Sequence, residues 1–268
     1  MKKHLTLLIL LLLLMPCAFA HKVALLSTRF VLEHKFNLMQ AASAGTGIEL
    51  HWVQADRDGE DGVRKVLENA QLVIIDAPRS DDQAVIERIA GKQLRELAIP
   101  IVAFQTMGGQ IRPQRLPPGM AEQLYAYYVA GRKVNRERMF HYLRIWLDGG
   151  DPGTVEPPED LPNGGIYHPE YTDSIFPALP NYLAWWEAQK GNSALARPVI
   201  ALEISSTYIA DGQTRMLDEI VSAFEQAGAL PLVFYRSTRI SRGPVVQMSA
   251  ADRADNAAAP SGNGNTSV

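Results

Sequence analysis

Short, nearly unbroken apolar runs recur through the first hundred residues, and few folds accept them. KVALLS (Lys22–Ser27), AQLVIID (Ala70–Asp76) and IPIVAF (Ile99–Phe104) are bounded by turn formers, and the latter two are rich in β-branched residues. A strand that is apolar at consecutive positions must be covered on both faces, as in a parallel sheet between helical layers. IELHWVQ (Ile48–Gln54) alternates more than it runs and also reads as a strand. Between the runs lie helical patterns at residues 36–44, 62–69 and 81–91. In the last, Val85, Ile86 and Ile89 share a face and Gly91 is the expected stop. Alternating strand and helix predicts an α/β fold with a doubly wound, mostly parallel sheet and right-handed crossovers.

After Phe104 the pattern turns helical. Residues 120–130 form one expected helix and 135–147 another, with Asn135 as N-cap and Asp148-Gly149-Gly150 as terminator. Residues 151–165 carry Pro152, Pro157, Pro158 and Pro162 among Gly and Asn, the composition of a connector. The expected divisions are an N-terminal α/β domain with a helical extension over 21–150, and a Pro-rich connector with docking motif over 151–190. An incomplete second α/β domain follows over 191–236. This last unit reads as strand RPVIALEIS (Arg197–Ser205), a helix over 211–227, and strand ALPLVFY (Ala229–Tyr235). From Ser237 to Val268 almost nothing is available to bury, so a disordered tail is expected. Two parallel strands and one helix leave faces and an edge bare. The expectation is a chain truncated or frameshifted from something longer, with a partner chain supplying the missing layers as the alternative.

The first twenty residues stand apart. Lys2 and Lys3 precede an apolar run, and Ala18-Phe19-Ala20 ends it as an A-x-A site. That order predicts a secretory signal cleaved after Ala20, and export, as to a periplasm. The one cysteine, Cys17, leaves with it, which removes disulfides, thiolate metal sites and cysteine nucleophiles from the mature chain. With 26 basic and 29 acidic residues the chain is mildly acidic, and nothing favours nucleic acid. No later run approaches membrane length, so the mature chain is not expected to span a bilayer.

GGIYHPEYTDSIFPALPNYLAWW (residues 164–186) combines a histidine, turn formers and six aromatics. His168 reads either as a ligand for a metal or a tetrapyrrole, or as a fastener that, with Tyr167, hydrogen-bonds the connector backbone. No co-ligand at recognised spacing accompanies it, which favours the fastener. Tyr182, Trp185 and Trp186 share a helical face suited to packing, and Tyr125, Tyr127 and Tyr128 read the same way. Ser205 and Ser206 fall at the carboxyl end of a strand, where open α/β sheets bind ligands, and where caps also occur. No metal site and no catalytic residue is predicted. There is no P-loop, H-E-x-x-H or G-x-S-x-G, and Gly45-Thr46-Gly47 precedes a strand rather than a helix.

APRSDDQAVIERI, YYVAGRKVNRERMFHYL, the residue 164–186 motif and RPVIALEI with TRMLDEIVSAFEQAGALPLVFY follow one another in order. Over residues 72–235 this resembles the large subunit of cobaltochelatase and its relative, the porphyrin-binding subunit of magnesium chelatase. The resemblance implies a parent several times longer that binds a tetrapyrrole and inserts or removes a metal ion, cobalt or magnesium. It also implies chelatase subunits as partners, and no cofactor held by this stretch alone. Export separates the chain from cytoplasmic ATP, which the family's insertion cycle needs. A non-enzymatic periplasmic binding or scaffolding module of a metal–tetrapyrrole uptake system is the alternative, with transport-complex subunits as partners.

Overall fold

The computed structural model describes residues 20–171, 175–191, 196–236 and 245–246. Residues 1–19, which carry the predicted signal and Ala18, lie outside that set, as does most of the expected tail.

The first unit is a sheet in the order β10-β5-β4-β3-β1-β2. Strands β1 (His21–Ser27), β2 (Ile48–Gln54), β3 (Leu72–Asp76) and β4 (Ile101–Gln105) are mutually parallel. Successive side chains explain the unbroken runs. Val23 and Leu25 join Leu72, Ile74 and Val102 under α1 (Glu33–Ser43), α4 (Met120–Ala130) and α5 (Arg132–Leu147). Ala24 and Leu26 join Val73, Ile75 and Ile101 under α2 (Ala55–Leu67) and α3 (Ser80–Glu96). A fully buried Val, Leu or Ile contributes roughly 1.5–3 kcal/mol, so each strand anchors two helical layers at once.

Several local readings are corrected. The chain after Phe104 is not at once helical, because β5 (Gln110–Gln114) turns back antiparallel on β4. Only Ile111 of β5 is fully buried, so its sequence carries little strand signal. Helix α3 passes through Gly91 to Glu96, since Leu94 extends its buried face by another turn. Helix α2 starts at Ala55 and is interrupted at Gly59, whose φ of +66° is a glycine conformation. Asn135 is not an N-cap: α5 begins at Arg132, and Asn135 is wholly buried inside it. Within the segment read as a disordered tail, the backbone of Val245–Val246 (β10) pairs parallel with β5 and forms the sheet's outer edge.

Asn135 straps the connector down instead. Its amide donates to Glu159 O and accepts from Glu159 N–H, both at 2.8 Å. Tyr127 donates to Glu156 O at 2.7 Å and Arg138 to Pro157 O at 2.9 Å. The Pro-rich stretch lacks a ladder of its own, and side chains of α4 and α5 supply partners for its backbone groups.

The second sheet has the order β7-β6-β9-β8. The residue 164–186 motif, expected as connector and dock, provides β6 (Gly164–Tyr167), β7 (Ile175–Phe176) and most of α6 (Leu179–Lys190). Strands β8 (Val199–Glu203) and β9 (Leu230–Arg236) are the expected parallel pair, and β6 covers the free side of β9 antiparallel. Helix α6 packs Tyr182 and Trp186 on one face. Helix α8 (Arg215–Gln226) packs Leu217 and Val221 on the other, preceded by the short α7 (Ser206–Ala210). Strand β8 is the edge and leaves Val199 and Ile200 50% and 37% exposed. Among the described residues no helix is long and apolar enough to cross a membrane.

Candidate functional site

His168 follows β6 at the point where α6 and α8 both reach it, and it is completely buried. Its Nδ1 accepts from the Glu170 N–H at 3.2 Å, so the neutral ring carries its proton on Nε2. Nε2 faces Glu225 Oε1 at 3.6 Å, beyond hydrogen-bond length. Lys190 Nζ ties that carboxylate (3.0 Å) to Glu170 (2.9 Å). Trp185 lies 4.5 Å away centroid to centroid, with Trp186 and Tyr182 at 5.9 and 6.1 Å. Burial lowers the imidazole's pKa, against the opposing pull of Glu225 and Glu170. The ring therefore presents no lone pair to an outside ligand, and its contacts hold β6, α6 and α8 together.

The other residues singled out in the sequence do not converge on His168. Tyr167 points to the opposite face, donates to Asp218, and is pushed up to about 12 by burial. Ser205 caps α7, accepting from Thr207 N–H at 3.3 Å, and Ser206 is the first residue of that helix. Both sit beyond β8, separated from β6 by β9. His21, the first residue after the predicted cleavage, meets Gln71 at 2.6 Å and Asp148 at 2.8 Å, so both ring nitrogens are engaged.

A different cluster assembles at the carboxyl end of the first sheet. The chain passes from β1 to β2 on one side and then to β3 on the other. Strands β1 and β3 therefore flank the switch point, where sheets of this kind open a crevice. Ser27 and Thr28 end β1, and Asp76 ends β3; all three are buried. Asp76 is wholly inaccessible, with Oδ2 accepting from Tyr128 and standing 3.4 Å from Lys35 Nζ. Its Oδ1 has no hydrogen-bond partner among the described residues. Lys35 also lies 4.3 Å over the Tyr128 ring. Burial, and then the neighbouring Asp76, raise the Tyr128 phenol well above its ordinary value.

Around this core, Ser27 donates to Asp76 O at 2.7 Å and Thr28 to Asp82 at 2.7 Å. Burial pushes the Asp82 carboxyl up, but hydrogen bonds from Arg79 and Thr28 outweigh it and hold the group below its usual range. Arg136 is buried, which lowers its pKa, and donates to Ala210 O at 3.0 Å. Buried polar groups in this density are costly unless each is paired, and such clusters concentrate at functional positions. A carboxylate, a phenol and an ammonium in one contact chain can orient a polar ligand or hold a proton. Sequence reasoning passed over it: Asp76 looked like the end of an apolar run and Tyr128 like packing. The available signal was the position, a carboxylate closing a buried strand beside the switch point. Among the described residues, no group of three or more His, Cys, Asp or Glu side chains is placed to hold a metal ion.

Comparison with protein families gives a match to the model described as CobN/Magnesium Chelatase over residues 125–259. Comparison with curated proteins gives no match. Among solved structures, the chain is similar to the catalytic subunit of cobaltochelatase from Mycobacterium tuberculosis, at 17% identity and a TM-score of 0.47. The similarity covers 83% of this chain and 16% of that one.

Proposed function

Because this chain belongs to the CobN/magnesium chelatase family, we propose that it serves as framework in a large subunit that binds a tetrapyrrole and inserts or removes a metal ion. The family match carries this reading: residues 125–259 include the second half of α4, all of α5, the strapped connector and the second sheet. Cobalt or magnesium enters as substrate. The chain contributes scaffold and the buried polar cluster at the end of the first sheet, and by itself is inactive in chelation. The cleavage expected after Ala20 would export the chain. In support, Ala20 is exposed and β1 begins immediately after it at His21.

The test is a titration of the purified protein with cobalt(II), with haemin and with a corrinoid, followed by absorbance. Saturable spectral changes with a macrocycle are expected. A linear, non-saturating response refutes tetrapyrrole binding by this chain. Sequencing the amino terminus of the exported protein should begin at His21, and a start at Met1 refutes cleavage. The exposed apolar edge of β8 favours a second reading, a periplasmic scaffolding module without catalysis that docks chelatase or transport subunits. Co-purification with such subunits, in the absence of macrocycle binding, distinguishes it.

A further inference from the structure

We infer that the turn Ala210–Gly212 is a latch that closes the switch-point crevice of the first sheet by an acceptor-to-donor contact with His34, Lys35 and Arg136. The turn belongs to the second unit, where the last residue of α7 and the two that follow it offer three acceptors. Ala210 O accepts from Arg136 at 3.0 Å and Gly212 O from His34 Nε2 at 3.1 Å. Asp211 Oδ1 stands 3.9 Å from Lys35 Nζ, the same ammonium that lies 3.4 Å from the buried Asp76 carboxylate. Two glycines permit the close seating. A Cβ on Gly131 would collide with the Ala210 carbonyl, and one on Gly212 would lie 2.8 Å from Leu38.

The contact is polar and small, and it touches the second unit at a turn instead of its core. Interfaces of that kind release without unfolding either side. Lys35 makes release selective: when Asp211 leaves, the ammonium keeps Asp76, so the first unit is not left with an unpaired buried charge. Opening uncovers the end of β3, where Asp76 Oδ1 lacks a partner.

Hydrogen exchange of the full chain, read by mass spectrometry, tests this in Asp211→Asn. Peptides over 28–38 and 206–213 should exchange roughly two- to five-fold faster, the loss expected of one partly exposed ion pair. Peptides over β1, β3, β6 and β9 should not change. Unaltered exchange over 28–38, or acceleration spread evenly through 164–236, overturns the latch. The unmodified protein gives a second measurement should the variant fold poorly. Lys35 has a side-chain exposure of 12% against 84% for Lys133, so amine acetylation should spare it. That protection should weaken as salt screens the Asp211 pair. Protection of Lys35 that is indifferent to salt overturns the charge-held closure.

Discussion

Removing one hydroxyl tests how the Asp76 cluster is held. In Tyr128→Phe the ring remains, keeping its 5.1 Å contact with Phe104 and its place under Lys35. What goes is the phenol hydrogen bond to Asp76 Oδ2, leaving Lys35 at 3.4 Å as the remaining side-chain partner of a carboxylate with no solvent access. A hydrogen bond to a charged group contributes about 1.5–3 kcal/mol, and here water cannot replace it. With a urea dependence of about 2 kcal/mol per molar, the unfolding midpoint of the first unit should fall by about 1 M. Adding Asp76→Asn should recover part of the loss, because an amide is cheaper to bury than a half-paired carboxylate. A midpoint shift below about 0.25 M would mean that Lys35 satisfies Asp76 alone, and the contact chain proposed for the crevice would fail. Alkaline titration by ultraviolet absorbance offers a parallel check: Tyr128 should stay protonated after the exposed tyrosines ionise, since its phenol is raised.

Acid should weaken the second unit through His168. Its folded pKa is lowered by burial, with Glu225 and Glu170 opposing and Lys190 assisting. The unfolded chain therefore takes the proton first. The contribution is complete above about pH 6.5 and is lost as pH falls through that value toward the folded pKa. Urea midpoints measured from about pH 7 to pH 5 should decline, and His168→Phe should flatten that slope. In Asn135→Ala two 2.8 Å bonds to the Glu159 backbone disappear. A loss of about 2 kcal/mol and faster exchange over residues 155–162 are expected, with exchange unchanged if the connector is held by its prolines alone. Gly165→Ala would drive a Cβ into Ile175 and to 3.2 Å from the Tyr235 ring. Thermal unfolding should show about 1–3 kcal/mol of overpacking cost, and a neutral result would refute the close β6–β7 approach. Ser205→Ala removes a cap and should cost no more than about 1 kcal/mol without altering any macrocycle titration.

The parallel core was legible because burial on both faces leaves a local mark. Each of β1, β3 and β4 must be apolar at adjacent positions, and that is visible without knowing the neighbours. β5 left no such mark, since a short antiparallel strand with Arg112 and Pro113 buries one side chain fully. The aromatic segment at 164–186 was visible as unusual, yet its role as two strands and a helix depended on β9 lying alongside. For the site, His168 stood out by type and company, and Asp76 by neither. Nothing in the local sequence of Asp76 tells that Lys35 and Tyr128, forty-one and fifty-two positions away, meet its carboxylate.

What the amino-acid order alone determined is the periodicity of burial: an α/β chain, its strand cores, its Pro-rich connector and its resemblance to a chelatase subunit. Tertiary structure decided which polar groups lost their water. Desolvation is a property of the surroundings, not of a residue, so a histidine lost its water among aromatic rings and an aspartate at a strand end became the centre of a buried polar cluster.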